Sequence, residues 1–214
     1  MCRVIRAGSL LSSRWSRVCA ARASSGRLGS MVPEARLERS EHGLAAEGEG
    51  WFVLNLREAQ WRHVDGRGAV CLALDDFEGW RSDLQYGVNP FVLMPGEAMS
   101  MYHWEADQEV FLVLAGEAVL VMEGEERPLR VWDFVHSPPQ TKHVVVGAGQ
   151  GPCVVLAVGS RAHDGHADAL GFPVDEVARS HGASVEEETM DGGAAYASVP
   201  GREPTGYRDG WLPD

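Results

Sequence analysis

The sequence predicts an all-β chain, an antiparallel sandwich or barrel, and three observations carry that prediction. Short apolar runs recur from Trp51 to Val158, Gly or Pro stands in nearly every gap between them, and no helical period interrupts the series. A length of 214 residues and 44% hydrophobic content suit one ordinary domain with extensions.

Taken in order, strands are expected over residues 51–55 and 69–74, which are rich in aromatic, β-branched and small apolar side chains. A third, 88–94, stops at Pro95-Gly96. Residues 99–105 and 109–114 flank a turn at 106–108. The runs 118–123 and 126–129 enclose Glu123-Gly124-Glu125-Glu126, a hairpin turn. Residues 133–136 end at the Pro138-Pro139 bend, and 142–146 begin after it. The next strand, 153–158, follows Gly147-Ala148-Gly149-Gln150-Gly151; a strand and not a helix comes after this Gly run, so it is no dinucleotide fingerprint. Beyond Ser160 the pattern changes. Val174, Val177, Ala178 and His181 fall at helical spacing between Pro173 and Gly182, which predicts one short amphipathic helix in an otherwise irregular extension over 161–214. Glu186-Glu187-Glu188 reads as solvated surface.

Alternate side chains of a strand share a face, so His103 and Glu105 point the same way, and the turn at 106–108 brings Glu109 beside them. His143, just after the double-proline bend, is a fourth candidate. Carboxylates facing a barrel interior cost several kcal/mol each when buried unpaired, and a cation is the simplest partner that all four residues share. Arg130, or water at an open barrel mouth, is the alternative compensation. Two imidazoles and two carboxylates suit one divalent transition metal (manganese, iron, nickel or zinc) with open coordination positions. Without Glu105 the set reduces to two His and one carboxylate. Met99, Met101, Phe111 and Val113 share strand parity with these residues and either line a pocket wall or fill the barrel. His136, just before Pro138, is a candidate proton-transfer group at the mouth or a structural His.

These segments resemble the paired motifs of the cupin superfamily. The first motif reads Gly, a short spacer, His-x-His, three or four residues, Glu, six residues, Gly; His103-x-Glu105, three residues, Glu109, six residues and Gly116 follow it, with Glu105 where the family has its second His. The second ends Pro-x-Gly-x-x-His, matched by Pro138, Gln140 and His143, with Gln140 in place of Gly and Asp133 at the opening position often taken by Gly. The resemblance covers residues 85–160. It implies a double-stranded β-helix (jelly-roll) barrel over 31–160 and a metal site, while permitting dioxygenase, decarboxylase or isomerase chemistry. A metalloenzyme acting on a small polar metabolite is one reading, and a small-molecule-binding or sensory barrel with a structural or absent metal is the other. The resemblance also implies sheet-to-sheet pairing, so Tyr102 and Trp104 on the outer strand face, with Tyr207, Trp211 and Leu212 of the tail, are expected to pack on the barrel or to bury in a homodimer.

Net charge is −12, but residues 1–30 hold six Arg and no acid, so the remainder carries −12 minus 6, or −18. That acidity argues against nucleic acid or an anionic membrane as partner. Cys2, Cys19, Cys71 and Cys153 show no paired spacing, which fits a cytoplasmic setting, and Cys71 and Cys153 read as small strand residues without nucleophilic activation. Residues 1–30 have the composition of a transit peptide, giving an organellar alternative, or are upstream sequence before a start at Met31; in either case they are set aside from the fold. His163 and His166, flanking Asp164, read as surface residues.

Overall fold

The structure is a computed structural model that describes residues 31–78, 85–163 and 169–214. Residues 1–30, Asp164 and His166 lie outside the described residues. The architecture below is that of the compact unit Glu34–Asp214.

Along the chain run β1 (Arg36–Ser40), β2 (Gly43–Glu47), β3 (Gln60–His63), β4 (Ala69–Val70), α1 (Ala73–Glu78), β5 (Tyr86–Leu93), β6 (Trp104–Glu105), β7 (Glu109–Ala115), β8 (Glu117–Met122), β9 (Glu125–Arg130), β10 (Phe134–Ser137), β11 (His143–Ala148), β12 (Cys153–Ser160), β13 (Leu170–Gly171), α2 (Glu176–Ser180), α3 (Gly192–Ala195) and β14 (Glu203–Gly206). Among the described residues they form a seven-stranded sheet, β10-β7-β12-β5-β4-β3-β14, a three-stranded sheet, β11-β8-β9, and two pairs, β1-β2 and β13-β6. Every strand pairing is antiparallel. This is the expected jelly-roll barrel.

Side-chain parity builds three apolar layers. Leu93, Phe111, Val113, Leu120, Val135, Val145, Cys153 and Val155 meet in the barrel core. The opposite parity of β11, Val144 and Val146, joins Tyr102 and Val121 on an outer face that Ala178 and Ala183 cover. On the far side of the large sheet, Val92 and Val154 pack with Trp61 beneath Tyr207, Trp211 and Leu212. Strands buried on both faces read as unbroken apolar runs, which is why Val144-Val145-Val146 lacks alternation. The β8–β9 hairpin turns through Glu123 (φ 50°) and Gly124 (φ 77°), both left-handed as a two-residue hairpin turn requires.

Several elements depart from expectation. Residues 52–55 form no strand: Trp51 makes a single bridge with Glu34, Asn55 Oδ1 accepts from Arg57 N to open a turn, and Leu54 packs under Trp61. The expected strand over 69–74 stops at Val70, and Asp75 and Asp76 sit in the first turn of α1, where negative charge favours a helix start. β1, β2, β3, β13 and β14 were not expected; β1 is exposed along its whole length, so no apolar pattern marks it. Of the run 99–105 only Trp104–Glu105 is strand. The rest is irregular because its backbone groups bond outside a ladder: Arg202 donates to Met99 O, Arg67 to Ser100 O, the His103 ring to Met101 O, and Tyr102 N to Ala183 O.

The extension is built into the barrel unit. The predicted helix is α2, capped by Asp175, whose side chain accepts from Ala178 N. β14 extends the large sheet by pairing with β3. Tyr102 is 1% exposed, and the Trp104 ring lies against Gly171. Of the aromatics expected to pack on the barrel or to bury in a homodimer, Tyr102 is therefore covered within the chain and Trp104, Tyr207 and Trp211 are partly so. No helix among the described residues is long and apolar enough to cross a membrane.

Removing residues 207–214 uncovers Trp61, which is fully buried beneath them. The loss is expected to be about 2–3 kcal/mol, a fall in Tm of roughly 4–12 °C. An unchanged thermal midpoint would show that the tail contributes no packing.

Candidate metal centre

A two-residue backbone pairing organises the site. His103 N donates to His143 O (3.2 Å) and His143 N to His103 O (2.8 Å), an isolated antiparallel bridge that sets the two residues opposite each other. Their ring centroids are 4.9 Å apart. Each ring is then oriented by a carbonyl two residues earlier: His103 Nδ1 lies 2.8 Å from Met101 O and His143 Nδ1 lies 2.9 Å from Thr141 O. A carbonyl only accepts, so each Nδ1 carries the proton and each neutral ring presents a bare Nε2.

Glu109, the first residue of β7, completes the set. Its Oε2 stands 2.9 Å from His143 Nε2. Neither atom has an aligned hydrogen-bond partner, although both are buried. Two facing lone pairs in a dry site call for a cation between or beside them. One ligand atom from each of His103, Glu109 and His143 lies within 4.8 Å of the others. Nitrogen and oxygen donors of this kind suit a divalent transition metal. Glu105, the fourth expected ligand, is adjacent but outside that triplet: its Oε1 is 3.4 Å from His103 Nε2.

The second-motif loop is tied to the first. Gln140 N donates to Glu105 O (2.6 Å), and Gln140 has φ 65°. The other left-handed residue of this motif is Trp132 (φ 73°), one position before Asp133, where the opening glycine was sought. Glycine adopts such angles without penalty, whereas other residues pay about 1 kcal/mol or more. Gly116 meets the same demand with a true glycine: at φ 71°, a Cβ would lie 2.4 Å from Pro152 O.

His103 and Glu109 open on a cavity of about 410 Å³, while His143 is buried behind them and is not among its lining residues. The wall includes His103, Glu105, Glu109 and Met99, as expected, and also Phe91, Asn89, Arg161, Phe172, Tyr196 and Arg202. Phe111 and Val113 are not among the lining residues; they are wholly buried in the barrel core. Met101 is turned away into a cluster with Phe172, Val185 and Ala195, because the irregular backbone at 99–103 breaks strand parity. His136 is corrected too: it is exposed on β10, on the face opposite Val135 and Ser137, and does not line the cavity. It is Ser137 that reaches the site, its Oγ 3.3 Å from His143 Nδ1. Arg130, the alternative counter-charge, is exposed at the end of β9 and also lies outside the wall. Tyr196 and Arg202 come from a Gly- and Pro-rich stretch with no periodicity, so nothing local in the sequence marked them.

Other readings hold. Burial pushes the Cys71 and Cys153 thiols up to about 11, so neither is a nucleophile. Glu186, Glu187 and Glu188 are exposed. The half-exposed His163 places Nδ1 2.8 Å from Asp107 Oδ1. Burial works to raise the Glu109 carboxyl, yet contact with His143 and the charge of His103 hold it below its ordinary value. For His103, burial alone would lower the imidazolium. Contact with Glu105 and the charges of Glu109 and Glu105 favour the protonated ring and outweigh burial, and the group stands above its ordinary value.

A family model described as Cupin domain matches residues 90–159. Among curated proteins none matches this chain. Of solved structures, a sugar phosphate isomerase from a cupin superfamily, from Silicibacter pomeroyi, is 29% identical over 45% of this chain and 61% of its own, with TM-score 0.40. A predicted oxalate decarboxylase from Thermotoga maritima is 21% identical over 50% of this chain and 97% of its own, with TM-score 0.43.

Two outcomes follow from this geometry. Gln140→Gly is expected to stabilise the protein by about 1 kcal/mol, read as a rise in Tm of roughly 2–4 °C, because it removes the left-handed penalty and keeps the amide that binds Glu105. A raised His103 value means that metal-free protein has the stability of protonated His103 in full below the unfolded value of about 6.5 and loses it as pH rises through the folded value. A metal needs neutral imidazole, so metal affinity is expected to run the other way, falling as pH drops through that raised value. Melting curves against pH with and without chelator check both directions.

Proposed function

Because residues 90–159 are a cupin domain, we propose that this chain binds one divalent transition metal, manganese, iron, nickel or zinc, and is an enzyme acting on a small polar metabolite. The observation that carries the proposal is the buried, unaligned approach of Glu109 Oε2 to His143 Nε2, beside an open cavity. His103, Glu109 and His143 would hold the ion, with Glu105 as a fourth ligand or, unliganded, as the group that accepts a proton from substrate. When bound, the ion supplies a Lewis acid for a substrate oxygen.

The chain's own residues do the rest. The Met101 and Thr141 carbonyls fix both ring orientations, which makes the Nε2 atoms better donors. Phe111 on the His143 ring and Phe172 near the His103 ring provide an apolar surround that limits water. The cavity volume falls within the range of small-ligand sites.

Untagged protein reconstituted separately with each of the four metals and analysed for metal content tests the centre. About one ion per chain is expected, and less than roughly one-tenth of an ion with all four rejects it. Glu109→Gln should weaken metal affinity about 100-fold or more, while Glu105→Gln should weaken it about 10-fold if that carboxylate ligates. A metabolite screen on loaded protein then separates turnover from simple binding.

A further inference from the structure

Two arginines, Arg202 on the cavity wall and Arg67 behind it, make no ion pair among the described residues, although the charge of Glu97 acts on Arg202. Arg202 lines the wall, and its guanidinium donates to three backbone carbonyls, Gly68 O (2.9 Å), Arg67 O (2.9 Å) and Met99 O (3.1 Å). Arg67, buried behind it, donates to Ser100 O, Gly182 O and Met101 Sδ. Carbonyl dipoles hold these guanidinium groups in place without cancelling their charge. By contrast, Arg161, on the same wall, is paired with Asp75.

Three of the five guanidinium N–H groups of Arg202 are committed to carbonyls, one on Nη1 and both on Nη2, which leaves Nε–H and one Nη1–H. The group is also posed: it stands over the Phe91 ring, 5.8 Å from the centroid. Charge accounting gives the class of ligand. A divalent ion offsets Glu105 and Glu109, the Arg161–Asp75 pair is neutral, and Arg202 remains as a positive charge on the wall without an ion pair, its acidic neighbour Glu97 lying outside the lining. Partly dry surroundings make an unpaired guanidinium costly and an anion beside it favourable.

We propose that Arg202 is the anion-binding residue of this cavity, and that the ligand is a small metabolite whose oxyanion, a carboxylate or a phosphate, docks on its remaining N–H donors. Arg202, Tyr196 and Phe172 all lie outside the span that matches the family model, so this specificity is carried by the C-terminal segment and not by the barrel motifs. Tyr196 acts as a positioning residue: its hydroxyl accepts from Met101 N and braces the backbone that binds both arginines. The charge accounting rests on the metal proposed above, whereas the free donors of Arg202 do not.

The test is calorimetric titration of malonate, inorganic phosphate and uncharged malonamide into metal-loaded wild-type, Arg202→Gln and Arg202→Lys proteins, with metal content measured on each. The wild type is expected to bind at least one of the anions and not malonamide; malonate alone identifies a carboxylate ligand, and phosphate alone a phosphate. Arg202→Gln should weaken that binding roughly tenfold or more at unchanged metal content, with Arg202→Lys in between. Binding of neither anion by wild type, or equal binding by Arg202→Gln, overturns the proposal. Should Arg202→Gln fail to fold, Arg202→Lys decides alone, because a single ammonium cannot hold three carbonyls and still donate to an anion, and wild-type affinity in it overturns the proposal. A wild type that takes up no metal yet shows Arg202-dependent anion binding rejects the metal and keeps the anion site.

Discussion

The structure of the site depends on one backbone pairing. His103 and His143 are forty residues apart in sequence, yet each donates its amide to the other's carbonyl. That bridge, with Ala98 paired to Val146 further along, lays the first-motif segment against β11. Every other constraint at the centre serves or uses it: the Gln140 amide ties the intervening bend to Glu105, and Met101 O and Thr141 O turn the two rings. Glu109 reaches the pair because the turn after β6 folds β7 back beneath the rings. A cluster assembled this way is specified by main-chain geometry as much as by its side chains.

Much of this was legible in the sequence, for definable reasons. Strands of the barrel core announce themselves through continuous Val, Leu and Phe, so β5 and β7 to β12 fall close to their expected limits. His103 and Glu109 were legible because period-two alternation and a short turn bring them together, and His143 because it follows the double-proline bend of the second motif. What failed was any inference that extended strand parity past the point where the ladder holds. Met101 was read onto the cavity wall and His136 onto the barrel mouth. The first is displaced because residues 99–103 spend their carbonyls on arginine and histidine side chains. The second is displaced because Ser137, its neighbour, takes the inward position on β10.

The cavity's remaining character was not legible at all. Arg67, Tyr196 and Arg202 come from loops that share no period, and only the fold brings them to one place. Left-handed angles at Trp132 and Gln140 make a related point. Glycine there would have signalled the turns directly; tertiary contacts hold the same backbone with bulkier residues and hide the signal.

The position of Arg202 and Tyr196 in the chain bears on how the protein is made. A ribosome delivers His103, Glu109 and His143 before it delivers Tyr196 and Arg202 of the cavity wall, and domains begin to organise as they emerge. Until the C-terminal segment is in place the cavity lacks Phe172, Tyr196 and Arg202 from its wall. The order of synthesis thus separates the triplet from completion of the pocket beside it.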